Sequence, residues 1–123
     1  MSEKRFNYKK GRGGEEEAKE FLIKKGFNFI EANFSIDKGM KGEIDLIMSD
    51  NDWLVFVEVK YKSDDRMGIP EEMINKRKLA QVKRVAQIYL MKNPEMRKVF
   101  EKYRIDAVCI EGSEIRYYDN LYA

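Results

Sequence analysis

Apolar residues recur along the chain with two different periods, and the changes between them mark the elements. Ala18, Phe21 and Leu22 fall at helical spacing, which predicts a first helix over about Glu15 to Lys25. Acids gather in its first turn, where they suit the positive end of the helix dipole, and Gly26 suits its end. Glu15 precedes Ala18 and Leu22 by three and seven residues, which puts it on the edge of the buried face. Phe27 to Phe34 alternates as a strand, with a slip between Phe29 and Ile30. Ile44 to Met48 is a second strand, Ser49 to Asp52 a hairpin turn, and Trp53 to Tyr61 a third strand. The third strand starts apolar on both faces, so it is expected at the buried centre of a sheet. A second helix is predicted from Glu71 or Glu72 to Met91, with Met73, Leu79, Val82, Val85, Ala86, Tyr89 and Leu90 on one side. A short helical piece over 95–102 follows Pro94, then strands at Tyr103 to Ile110 and Glu114 to Tyr118. The order helix, three strands, helix, two strands gives an α/β fold, a hairpin-rich sheet flanked by helices.

Composition narrows the class. The chain has 123 residues, 43% of them hydrophobic, which suits one domain with a real core. Residues 1–11 read as a flexible basic tail and residues 12–123 as a single domain. The longest apolar run, Trp53 to Val57, is far short of the ~20 residues a membrane span needs. No apolar stretch follows the charged start, so no secretory signal is expected. One cysteine, Cys109, reads as inert packing and fits a reducing cytoplasm. Histidine is absent, which excludes a Ser-His-Asp triad, a Cys-His dyad and His-ligated zinc. Catalysis would have to use carboxylates, lysine, hydroxyls or a hard metal on oxygen ligands.

The net charge of +2 conceals a segregation. Lys4, Arg5, Lys9, Lys10 and Arg12 face only Glu3 in the tail, and residues 73–94 carry Lys76, Arg77, Lys78, Lys83, Arg84 and Lys92 with no acid. Between them, residues 31–54 are net acidic. Each basic stretch reads either as a solvated surface or as a contact for a polyanion such as nucleic acid.

Glu58 and Lys60 lie two apart on the third strand and share a face with Leu54 and Phe56. Across the predicted hairpin, Asp45 comes roughly level with Glu58. Facing carboxylates in a half-buried place repel, and protons, a cation or a divalent metal must offset that. Two readings stand: a structural ion pair, or a Mg²⁺ or Mn²⁺ site on Asp45 and Glu58, with Lys60 beside the reacting water and Glu15 completing the shell. Glu43 reads as a loop or accessory acid, and Arg104 with Asp106 as a same-face ion pair. Tyr61, Tyr117 and Tyr118 suit packing better than base stacking.

Asp45 followed by Glu58-Val59-Lys60 resembles the PD-(D/E)XK nuclease signature, without the proline before the aspartate. Within that superfamily the resemblance is closer to one branch, the YraN-like family of small bacterial proteins, itself related to archaeal Holliday-junction resolvases. The segments that carry the resemblance are Gly14-Glu15-x-x-Ala18, Gly42-Glu43-Ile44-Asp45-Leu46-Ile47, Val55-Phe56-Val57-Glu58-Val59-Lys60, Arg104-x-Asp106 and Asp119-Asn120-Leu121-Tyr122. The resemblance implies a restriction-endonuclease-like core, a central mixed five-stranded sheet in the order αβββαββ. It also implies Asp45 and Glu58 as metal ligands, Lys60 as the water-positioning residue and Glu15 as the accessory acid. The expected function is phosphodiester hydrolysis with Mg²⁺ or Mn²⁺ on DNA rather than RNA, branched or single-stranded, with a homodimer needed for a symmetric junction. Lys9, Lys10, Arg12, Lys76, Arg77, Lys78, Lys83 and Arg84 would hold phosphates. The alternative is a non-catalytic nucleic-acid-binding module on the same fold.

Overall fold

Strand β3 (Trp53–Lys62) is buried from Leu54 to Val59 and forms the middle of a five-stranded sheet. The structure is a computed structural model that describes residues 14–36, 42–62 and 68–121. Helix α1 (Gly14–Lys24) leads into β1 (Asn28–Ser35), β2 (Glu43–Asp50) and β3, an antiparallel meander. A 3₁₀ turn (Pro70–Met73), helix α2 (Lys76–Lys92) and a short helix α3 (Pro94–Val99) then carry the chain to β4 (Lys102–Glu111). Strand β4 pairs parallel with β3, which requires a crossover of this kind. Strand β5 (Glu114–Tyr118) closes the edge antiparallel to β4, so spatial order follows chain order and the sheet is mixed.

Alternation on β3 builds a core on each face. Val55, Val57 and Val59 pack under α1 with Ala18, Leu22, Leu46, Met48, Val108 and Ile110. Leu54 and Phe56 pack under α2 with Val82, Val85, Tyr89, Ile44 and Ile105. Period 2 therefore turns Glu58 and Lys60 toward α2. The slip expected in the first strand is a register shift between Phe29 and Glu31. Cys109 is fully buried, and burial pushes its thiol up to about 11, consistent with inert packing.

Two expectations change. Helix α2 starts at Lys76, not at Glu71 or Glu72. Asn75 is extended and its side chain accepts the Lys78 N–H at 2.9 Å, so an N-cap overrides the apolar periodicity upstream. Met73 consequently leaves the core and is 59% exposed. The hairpin turn shortens to Asn51 and Asp52, because Asp50 already pairs with Trp53 and Asn51 takes the left-handed conformation at φ 54°. Among the described residues, no helix is long and apolar enough to cross a membrane.

Arg104 and Asp106 form the ion pair that their spacing suggests, within a larger network. Asp106 is fully buried and accepts from Arg104 Nε at 3.0 Å, Tyr117 Oη at 2.6 Å and the Asn120 N–H at 2.9 Å. Arg104 also reaches Asp50 Oδ2 at 3.1 Å, tying the β2–β3 turn to β4. Removing one member of a buried ion pair typically costs about 3–5 kcal/mol. Asp106→Ala is accordingly expected to lower unfolding free energy by at least about 3 kcal/mol in urea titration, and Tyr117→Phe by about 1 kcal/mol.

Candidate functional site

The β2–β3 register runs from Asp50↔Trp53 to Leu46↔Val57. Continued, it would set Asp45 opposite Glu58 and give the Val59 N–H to a carbonyl of β2. Asp45 Oδ2 accepts that N–H instead, at 2.8 Å, so a carboxylate stands where a backbone acceptor belongs. Two glycines bring further acids here. A Cβ on Gly14 would lie 2.8 Å from the Tyr61 Cβ, so glycine lets the start of α1 sit tight on β3 and deliver Glu15. Gly42 has φ +144° and comes so close to Val85 that a Cβ would lie 2.6 Å from its Cγ2, and Glu43 follows it. Carboxylate oxygens of Glu15, Glu43 and Asp45 all lie within 4.8 Å of one another.

Burial, then the charges of Glu58, Glu15 and Glu43, push the Asp45 carboxyl up to about 8, against the opposing pull of the Val59 N–H. Glu58 itself is 2% exposed. Its Oε2 lies 3.2 Å from Lys60 Nζ and 3.6 Å from Lys78 Nζ, while Oε1 is buried and has no hydrogen-bond partner among the described residues. Lys78 Nζ also donates to Gln81 Oε1 at 3.2 Å. Beyond the lysines lies an open groove of about 560 Å³, lined by Lys60, Asn75, Arg77, Lys78, Gln81 and Arg84 among others.

Of the residues singled out in the sequence, Asp45 and Glu15 come together, and Glu58 and Lys60 form a direct ion pair beside them. Glu43, read as an accessory acid, joins the carboxylate cluster, while Glu58 acts on Asp45 through its charge. Arg77, Lys78 and Arg84 line the groove with Lys60. Lys83 lines a second cavity of about 230 Å³ with Phe56 and Arg104, and Lys76 is exposed in the first turn of α2. Lys9, Lys10 and Arg12 lie outside the described residues. Gln81 escaped the sequence reading; its signal is the i, i+3 spacing from Lys78 on one helix face. Glu43 had a signal too, the period-2 match with Asp45.

Residues 14–110 match the family described as "Uncharacterised protein family UPF0102". The chain belongs to the UPF0102 family. This is the YraN-like group, as the Glu15, Asp45 and Glu58-x-Lys60 segments suggested. A UPF0102 protein of Cytophaga hutchinsonii is 38% identical over 106 residues, covering 86% of this chain and 88% of that one. One from Persephonella marina is 35% identical over 117 residues, covering 95% and 96%. One from Aliivibrio fischeri is 36% identical over 122 residues, covering 98% and 96%.

A raised carboxyl pKa makes stability fall with pH, because the folded state keeps a proton that the unfolded state surrenders. For this UPF0102 chain the loss should run from about pH 4 to about pH 8. Urea titrations in chelator across that range should show the decline in the wild type and a flatter profile in Asp45→Asn. Parallel profiles would mean that Asp45 does not hold a proton in the folded chain.

Proposed function

We propose that this UPF0102 protein is a metal-dependent nuclease that hydrolyses phosphodiester bonds in DNA, on branched or single-stranded substrates. The observation that carries the reading is Glu58 Oε1, a buried carboxylate oxygen with no hydrogen-bond partner among the described residues, next to acids that crowd together at a cost. A structural ion pair accounts for Oε2 with Lys60 but leaves Oε1 without a hydrogen-bond partner among the described residues. All the donors are carboxylate oxygens, which suits Mg²⁺ or Mn²⁺. Asp45, Glu58 and Glu15 would hold the ion, with Glu43 beside them. A bound ion supplies activation of water and neutralisation of phosphoryl charge.

The chain's own residues divide the remaining work. The Val59 N–H fixes Asp45 in place. Lys60, 20% exposed and paired with Glu58, donates toward the attacking water or the oxyanion that develops on phosphorus. Arg77, Lys78 and Arg84 hold backbone phosphates in the groove with little regard to sequence. The mixed sheet, with an aspartate on β2 and Glu-x-Lys on its antiparallel neighbour β3, is compatible with a PD-(D/E)XK core.

A second reading, a non-catalytic nucleic-acid-binding module, is favoured by the groove and the basic start of α2, which need no acids to function. Cleavage assays with Mg²⁺ or Mn²⁺ on single-stranded, duplex, flapped and four-way-junction DNA separate the two. The nuclease reading expects metal-dependent cutting that drops at least about 100-fold in both Glu58→Ala and Lys60→Ala. Salt-sensitive binding without cutting on any substrate would establish the binding module instead.

A further inference from the structure

Two ammonium groups converge on one oxygen of Glu58, and they are not equivalent. Lys60 is two residues away on the same strand and lies nearer, at 3.2 Å against 3.6 Å for Lys78. Lys78 arrives from α2, where it also lines the groove, and Gln81 holds its Nζ at 3.2 Å. One carboxylate does not require two lysines. A wider demand lies beside it: Glu15 and Glu43, whose charges act on Asp45 together with that of Glu58, add negative charge at the same end of the sheet. Once a divalent cation neutralises those acids, the positive charge on Lys78 becomes surplus.

The start of α2 makes a nearby anion the natural recipient of that surplus. Lys76, Arg77 and Lys78 occupy its first turn with no acidic residue, although that end of the helix is already positive. Three cations there oppose the dipole, and such a break with local preference is most often met at functional positions. Lys78 stands between Glu58 and the groove, on a long side chain with several staggered rotamers.

We infer that Lys78 serves two anions in turn: Glu58 while no divalent cation is bound, and a nucleic-acid phosphate in the groove once the acids hold one. The inference rests on the proposed metal and nucleic-acid reading of the site and adds its coupling. Cation and strand then bind cooperatively, and reciprocity requires each to tighten the other by the same factor.

The test uses the full chain, Mn²⁺, and a single-stranded phosphorothioate oligonucleotide that resists hydrolysis. Calorimetry and fluorescence anisotropy give the affinity for each alone and in the presence of the other. In the wild type, Mn²⁺ should tighten strand binding about fivefold or more, and steepen its logarithmic salt dependence by about 0.7 for one added phosphate contact. Lys78→Met should bind Mn²⁺ alone more tightly than the wild type, since a repelling charge is gone, and lose the added salt slope and most of the coupling. Lys78→Arg should keep the coupling. Mn²⁺ binding with unchanged coupling and slope in Lys78→Met would overturn this inference alone. A wild type that binds no Mn²⁺ would overturn the metal reading beneath it.

Discussion

Repulsion among carboxylates at the end of β2 is the constraint around which this site is arranged. Glu15, Glu43 and Asp45 bring their oxygens within 4.8 Å of one another, and Glu58 adds its charge from β3. An apolar core would not gather such groups, because each charge brought out of water needs a partner. The fold supplies partial answers: a raised proton affinity at Asp45, a backbone N–H from Val59, and two lysines on Glu58 Oε2. Among the described residues Glu58 Oε1 has no hydrogen-bond partner, and the proposed metal reading rests on that residual demand.

Rigid scaffolding holds the groups against this repulsion. Strand β3 is packed on both faces from Leu54 to Val59, so Glu58 stands within that buried stretch and Lys60 just past its end. Close approach at Gly14 and Gly42 brings Glu15 and Glu43 in from separate elements. Away from the site, Asp106 binds Arg104, Tyr117 and the Asn120 N–H, securing the segment after β5 and, through Asp50, the β2–β3 turn. Among the described residues, the Asp106 network leaves no buried side-chain polar atom without a partner, whereas the acidic site leaves Glu58 Oε1.

Charge segregation along the chain becomes spatial order on α2. Val82, Val85, Ala86 and Tyr89 bury one side, and the basic residues divide between two other directions. Arg77, Lys78 and Arg84 join Lys60 at the groove, while Lys83 lines the cavity beside Phe56. The basic run is therefore not one uniform face, and only part of it lies next to the acids.

Periodicity by itself determined the strands, the two long helices, the central place of β3 and the shared face of Glu58 and Lys60. These follow from local geometry: a period of two on a strand and 3.6 on a helix hold wherever the segment is packed. The register slip in β1 and the Arg104–Asp106 pair were legible for the same reason. The start of α2 was not, because the Asn75 cap competes with an apolar pattern that continues through Met73. Only the tertiary structure decided which acids meet. Glu43 rather than Glu58 closes the carboxylate cluster, because β2 departs from β3 at Asp45 and the approach of Gly42 to Val85 sets where β2 begins. It also decided that Lys78 reaches Glu58, a contact between α2 and β3 across 20 residues of sequence. Such meetings depend on how elements pack in three dimensions, and local spacing along the chain carries no record of that packing.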